Sequence, residues 1–410
     1  MHNRVVITGY GAITPLGLNI DDTWNGLKNG KSGVSDISLF DAAEYNVKVA
    51  AEVKDFDPLN YIDATTARYT DRFTQFAIGA SLQAIEDSKL VVDDTNKYDI
   101  GILVGSGIGG LGTLSRQLEV LDSRGPSRVS PYTVPMMIAD NASSRVSIIT
   151  GIMGPNLSLV SSCSTGTDSI GIAYKMIKHG EIKIMVVGGA DAAITPIGVA
   201  AFSQAGALTR NADAGTASRP FDAKRDGFVI GEGSAILVLE SLDYALSRNA
   251  DIKAEVIGYG ATSDANHITQ PSQTGESATK AINIALADIK PDDVDYINAH
   301  GTSTPLNDMS ETRAIKKAFG ENAYEIPISS IKSMVGHMLG AAGALEAIVC
   351  CKSIADGIIP PTINYANPDP ECDLDYVPNK ARNRDVRIAI SNSFGFGGHN
   401  SVLLISRYSN

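Results

Sequence analysis

The sequence predicts an α/β protein built from two related halves. Continuous apolar runs rich in β-branched residues alternate with helical patterns from end to end. Strands of that kind belong to a mostly parallel sheet covered by helices on both faces. The segment Val-Ile-Thr-Gly-Tyr-Gly-Ala near the start returns as Val-Ile-Gly-Tyr-Gly-Ala from Val256, dividing the chain into halves of 1–250 and 251–410. No Pro/Ser linker or low-complexity tract separates them, so both halves are expected to pack into one body.

Residues 4–11 read as a buried strand. Apolar side chains recur at helical spacing over 71–90, where Asp71 is a plausible cap. A second strand is expected at 98–107 and a third at 156–162, the latter running into a helix over 164–179. Strands at 182–191 and 233–241 complete the first half. The second half repeats the pattern: a strand at 253–265, a helix at 275–289, a strand at 294–300 and a helix at 308–319. A strand at 326–331, a helix over roughly 338–356 and a closing hairpin around 394–400 follow.

The 410 residues carry 34 Lys and Arg against 46 Asp and Glu, a net charge of −12. Such a field disfavours nucleic acid and anionic lipid, so an acidic partner needs a local basic patch. The 43% of hydrophobic residues can bury a large core, and the 6% of aromatics argues against a tyrosine-rich binding surface. Cysteines 163, 350, 351 and 372 make no disulfide framework, and neither a signal peptide nor an 18-residue apolar window is read. A cytoplasmic protein without a membrane span is expected.

Four segments could carry chemistry. In Ser-Ser-Cys-Ser-Thr-Gly, Cys163 falls where a strand gives way to a helix. The positive end of the helix dipole would favour its thiolate there; the other reading is a small buried hydrophobe. In Asn-Ala-His-Gly-Thr-Ser-Thr-Pro, His300 ends a predicted strand, where open α/β sheets place their sites, or else it bonds its own loop. In the third, Lys332 and His337 precede an Ala- and Gly-rich helix. Glu346, more than two turns inside it among apolar neighbours, needs a partner, and Lys332 is the natural one unless the pair is a surface salt bridge. The fourth, Asn-Ser-Phe-Gly-Phe-Gly-Gly-His-Asn at 392–400, is a loop able to aim backbone N–H groups at a ligand, or a bulged hairpin.

Cys350 and Cys351 read as core. The Gly-x-Gly-x-x-Gly at 105–110 starts far into the chain and lacks the following acidic residue, so nucleotide binding is set aside. No zinc-ligand spacing occurs, so no metal is expected. One cysteine with two histidines suggests that both histidines donate to a single carbonyl oxygen as negative charge develops on it.

The blocks SSCSTG, NAHGTSTPLND, IKSMVGHMLGAAGALEA and SNSFGFGGHN, with RPFDAKRDGFVIGEG and the opening RVVITGYGAITPLG, resemble the signature segments of β-ketoacyl-acyl-carrier-protein synthases. Block order and spacing resemble the elongating type II enzymes over essentially the whole chain. The resemblance implies the thiolase-like fold, an internally duplicated five-layer α/β/α/β/α arrangement, a homodimer and no cofactor. It implies a decarboxylative Claisen condensation with acyl- and malonyl-loaded acyl carrier protein, lengthening the chain by two carbons in fatty-acid synthesis. Cys163 would be the nucleophile, with the N–H groups of Cys163 and Phe396 as oxyanion hole. His300 and His337 would hold the malonyl thioester carbonyl, and Lys332 with Glu346 would tune them. Thr302 and Thr304 match pantetheine contacts, Ile108 and Phe202 the acyl tunnel, and Phe394 a substrate contact. Phe396 also matches a gating residue. Arg68, Arg72, Arg124 and Arg128 match carrier-docking positions, although Thr65 and Thr66 stand where lysine is frequent.

The sequence departs from the family where Ser162 and Ser164 replace the usual alanines beside Cys163, and where Asp168 stands in a position often His or Asn. The same chemistry in a polyketide or polyene pathway is one rival. A non-catalytic chain-length partner subunit would lack the nucleophile. Thiolases use a second cysteine near the C-terminus, where this chain has Phe396 and His399. Initiating synthases use Cys-His-Asn, against which His337 speaks.

Overall fold

A computed structural model describes residues 2–287 and 289–409. Ten strands form one sheet, five from each half of the chain. They are β1 (Val5–Ile13), β2 (Ile100–Gly105), β3 (Asn156–Leu157), β4 (Ile184–Asp191) and β5 (Gly233–Ser241), then β6 (Ala254–Ser263), β7 (Tyr296–Asn298), β8 (Ile328–Ser329), β9 (Ile388–Gly395) and β10 (His399–Ser406). Their order is β8-β7-β9-β10-β6-β1-β5-β4-β2-β3. Numbered within its own half, each set of five therefore runs 3-2-4-5-1. The halves meet where Val5, Val6 and Ile7 pair with Val256, Glu255 and Ala254.

The sheet is mixed, not mostly parallel as expected. Pairs β7–β8, β7–β9, β2–β4 and β2–β3 are parallel, whereas the five central pairs are antiparallel. The reason is burial. Strands covered by helices on both faces read as continuous apolar runs whatever their direction, and β1, β4 and β5 are buried at every position.

Six helices complete five layers. Helices α1 (Arg72–Ser88) and α2 (Asn141–Thr150) cover the outside of the first half, while α4 (Glu276–Leu286) and α5 (Pro305–Phe319) cover the second. Between them lie α3 (Thr165–Lys178) and α6 (Ala342–Asp356), which pack on each other and on strands from both halves. Asp71 caps α1, accepting from Phe73 N–H. The repeated Gly-Tyr-Gly has a packing cause. A Cβ on Gly11 would lie 2.3 Å from the Ala80 carbonyl of α1, and one on Gly260 would lie 2.1 Å from the Ala281 carbonyl of α4. Each half thus uses bare backbone to seat its first strand on its outer helix.

Two elements differ from expectation. The strand expected at 156–162 is only the edge pair Asn156–Leu157; beyond it the Ser158 hydroxyl donates to the carbonyls of Val104 and Ala139, and the chain turns. The helix expected from 338 begins at Ala342 after a tight turn over Leu339–Ala341. Glu346 therefore lies about one turn inside it rather than two.

Candidate active site

Both inner helices start at the same end of the molecule, each preceded by a tight turn: Ser162–Ser164 before α3 and Leu339–Ala341 before α6. Ser162 takes a left-handed φ of 54°, a conformation that costs a β-substituted residue energy and bends the chain sharply just before Cys163. Cys163, His300 and His337 meet at one cavity of about 340 Å³, whose wall includes Thr302, Thr304, Phe394 and Phe396.

Burial decides the state of the cysteine. The helix end favours the thiolate by a fraction of a pKa unit to about one, but loss of solvent weighs more. Burial pushes the Cys163 thiol up to about 11, against the pull of the N–H groups of Phe396 and Cys163 and of the Lys332 charge. The expectation of a thiolate favoured by the helix end is thereby corrected. The pair of N–H groups pulling the other way is the pair expected to form the oxyanion hole. Gly395 permits this approach, since a Cβ there would lie 2.9 Å from the Ser161 carbonyl and 3.2 Å from the Cys163 nitrogen.

The histidines are held by their backbones. Glu311 of α5 accepts from the N–H groups of His300 and Gly301, both at 2.8 Å, and from the Asn392 amide at 3.2 Å. His337 donates its N–H to Val229 at 2.7 Å and accepts at its carbonyl from Gly231 at 2.9 Å. Its Nδ1 accepts from Leu339 N–H at 3.2 Å, which places the proton on Nε2. That Nε2 is a buried donor without a partner among the described residues. The two rings meet edge to face with centroids 5.3 Å apart. Burial first, and then the Lys332 charge, hold both histidines well below their ordinary values, so both are neutral.

Lys332 and Glu346 form a buried ion pair, as the sequence suggested and not on the surface. Burial raises the Glu346 carboxyl while Lys332 pulls it back down. Thr304 caps α5, and its hydroxyl lies 3.0 Å from that of Thr302.

Phe202 and Ile108 are not on the cavity wall. Phe202 belongs to an apolar cluster behind Phe396, with ring centroids 6.4 Å apart. Phe396 shares the cavity wall with Phe228 and Ala207 of this cluster, and Phe202 lies behind them. Ile108 lies on the loop after β2, partly exposed. That Gly-rich loop spends its N–H groups on a protein carboxylate: Asp191 accepts from Gly107 at 3.0 Å, Ile108 at 3.3 Å, the Ser106 hydroxyl and Gly340 at 2.6 Å.

Arg68, Arg124 and Arg128 are exposed. Arg72 is not free for docking, a correction to the expected patch. Its guanidinium is committed to both oxygens of buried Glu232 at 3.0 and 2.7 Å and to the Val53 carbonyl.

Sequence reasoning missed Asp191 and Glu311. Each is fully buried and collects the backbone N–H groups of a functional loop. Burial lifts them to about 6 and about 7. The signal for Asp191 was an acidic residue closing an apolar strand, and for Glu311 an acid on the inner face of the helix after His300.

Residues 2–245 match the family model described as beta-ketoacyl synthase, N-terminal domain, and residues 253–366 match its C-terminal domain. The 3-oxoacyl-[acyl-carrier-protein] synthase 2 of Synechocystis sp. is 52% identical over 408 residues, 99% of this chain and 98% of that protein. Among solved structures, the ishigamide ketosynthase/chain length factor superposes with a TM-score of 0.93 at 37% identity over 100% of both chains. The ketosynthase of AntDE:AntF, a type II PKS acyl-carrier protein in complex with its ketosynthase bound to the hexaketide, superposes over 100% of both chains with 0.92 at 33%. With the duplicated five-layer fold and the Cys-His-His cavity, these likenesses place the chain in the β-ketoacyl synthase family.

Proposed function

We propose that this chain condenses an acyl group with malonyl-acyl-carrier protein, lengthening it by two carbons in fatty-acid biosynthesis. The observation that carries the reading is the single cavity onto which Cys163 and two neutral histidines converge. Cys163 sulfur attacks the acyl thioester carbonyl, the carrier's C–S bond breaks, and the thiol proton leaves with the carrier thiol. The N–H groups of Cys163 and Phe396 stabilise the oxyanion; one such donor is worth about 3 kcal/mol. Malonyl-carrier then enters with its thioester carbonyl between His300 and His337. The bond to the carboxylate breaks, CO2 leaves, and the electron pair stays as an enolate stabilised by the two neutral donors. Its carbon attacks the Cys163 thioester, and the C–S bond opens to leave the Cys163 thiolate, which takes up a proton from solvent to restore the thiol.

In the same reading, Lys332 with Glu346 fixes the field at the histidines, and Thr302 and Thr304 contact the pantetheine arm beside Phe394. Phe396 swings to open the cluster containing Phe202, and Ile108 lines the channel thus formed. Arg68, Arg124 and Arg128 dock the acidic carrier. The halves 1–250 and 251–410 act as one unit, two chains form a homodimer, and the reaction runs in the cytoplasm. Among the described residues, no helix is long and apolar enough to cross a membrane.

Intact-protein mass after mixing with acyl-carrier proteins of several chain lengths, followed by malonyl-carrier, tests the reading. An acyl adduct at Cys163 and then a β-ketoacyl-carrier two carbons longer is expected, with neither in Cys163→Ala. Elongation that persists in Cys163→Ala overturns the nucleophile assignment.

A further inference from the structure

The first turns of α3 carry a polar stitch between the halves. The Ser164 hydroxyl donates to the carbonyls of Ser393 at 3.2 Å and His399 at 3.4 Å, and the hydroxyls of Thr167 and Ser393 lie 2.7 Å apart. At the next position Asp168 is buried, and its carboxylate accepts three hydroxyls from three elements. These are Ser161 in the turn before Cys163, Tyr259 of β6 at 2.7 Å, and Ser401 of β10. Tyr259 reaches Asp168 because α3 is bare at Gly171, where a Cβ would lie 2.2 Å from the tyrosine ring.

Ser161 and Ser401 flank the two N–H groups assigned to the oxyanion. Ser161 lies two residues before Cys163, and Ser401 lies in the strand that the Phe396 loop feeds. We propose that Asp168 is a positioning residue that sets the spacing of the Cys163 and Phe396 N–H groups by holding both flanks on one carboxylate. The inference rests on the condensing-enzyme reading above and adds to it a residue that touches no substrate. Hydrogen bonds to a carboxylate are short and directional, and oxyanion donors work only when already aimed. The histidines are held separately, through Glu311, Val229 and Leu339. A fault at Asp168 therefore reaches acylation and spares decarboxylation.

The test compares the wild-type enzyme with Asp168→Ala, Asp168→Asn and Tyr259→Phe. It follows Cys163 acylation by rapid-quench intact mass, CO2 release from malonyl-carrier, and Tm. Asp168→Ala should lower the acylation kcat about tenfold or more with KM unchanged, while CO2 release stays within about twofold. Asp168→Asn keeps an acceptor oxygen for Tyr259 and Ser401 and should restore most of the acylation rate. Tyr259→Phe keeps the ring packing, so it carries the test should Asp168→Ala fail to fold, and acylation should fall a few-fold in it. Wild-type acylation in Tyr259→Phe, or parallel loss of acylation and decarboxylation with Tm, overturns the inference. A wild-type enzyme that forms no adduct overturns the condensing reading and the inference together, whereas an active wild type with indifferent variants overturns the inference alone.

Discussion

At the scale of single residues, burial governs the site more than helix ends do. Cys163 stands before α3, yet its thiol is pushed up to about 11 because desolvation outweighs two backbone donors and a nearby ammonium. A thiol alkylates as its thiolate. The alkylation rate of Cys163 should therefore climb about tenfold per pH unit from 7 to 10, without levelling until near the raised value. Iodoacetamide kinetics followed by mass would show it; a plateau below pH 9 would mean that the helix end wins. The buried Lys332–Glu346 pair makes a second case. At pH 7 a stranded carboxyl neutralises at about 3.7 kcal/mol and a stranded ammonium at about 4.6 kcal/mol, from their ordinary pKa values. Glu346→Gln should thus destabilise more than Lys332→Met, and the double variant should recover part of the loss. Urea unfolding of the three variants checks this, and strictly additive losses would argue against a coupled pair. The cluster of Cys163, His300 and His337 on one cavity, with the Lys332–Glu346 pair, was legible in the sequence because reactive residue types sat in Gly- and Ala-rich segments that have little other reason to exist. Asp191 and Glu311 were not, since an acid that accepts backbone N–H groups from a distant loop leaves no local mark.

At the scale of elements, the site is a meeting of two helix starts and a hairpin loop. The loop between β9 and β10 brings Phe396 to Cys163 only because residue 395 has no side chain. Gly395→Ala puts a methyl 2.9 Å from the Ser161 carbonyl and 3.2 Å from the Cys163 nitrogen, inside van der Waals contact. Overpacking of this kind costs about 1–3 kcal/mol, and the loop yields more easily than α3. Acylation should therefore fall by about a hundredfold while Tm drops by only a few degrees. Unchanged acylation would show that Phe396 N–H is not an oxyanion donor. Element positions were readable where periodicity and caps agree, as with Asp71 and the helix that follows it. They were misread at 156–162, where an apolar run at the sheet edge is bent away by serine-to-backbone bonds.

At the scale of the molecule, the echo of Gly-Tyr-Gly signalled a true duplication, whereas strand direction stayed hidden because both faces of the sheet are covered. The outer end of the first half is different. Its last strand, Asn156–Leu157, is two residues long and exposed. Near it in the chain lie Leu118, Val134, Ile138, Leu157 and Val160, each at least 42% exposed and borne by segments of the 111–160 region. An open strand edge that itself carries exposed Leu157, in a stretch of chain with further exposed apolar side chains, invites pairing with another copy. The opposite end of the sheet ends at Ile328–Ser329, which is fully buried, so only one end can extend. A two-fold pairing of this one edge closes on itself and stops at two chains. Light scattering at micromolar concentration should therefore give twice the mass of one chain. Val134→Glu with Leu157→Lys should give single chains with a lower, concentration-independent Tm. A wild-type protein that stays single across that range would mean that this edge is simply solvated, and the proposed homodimer would fall with it.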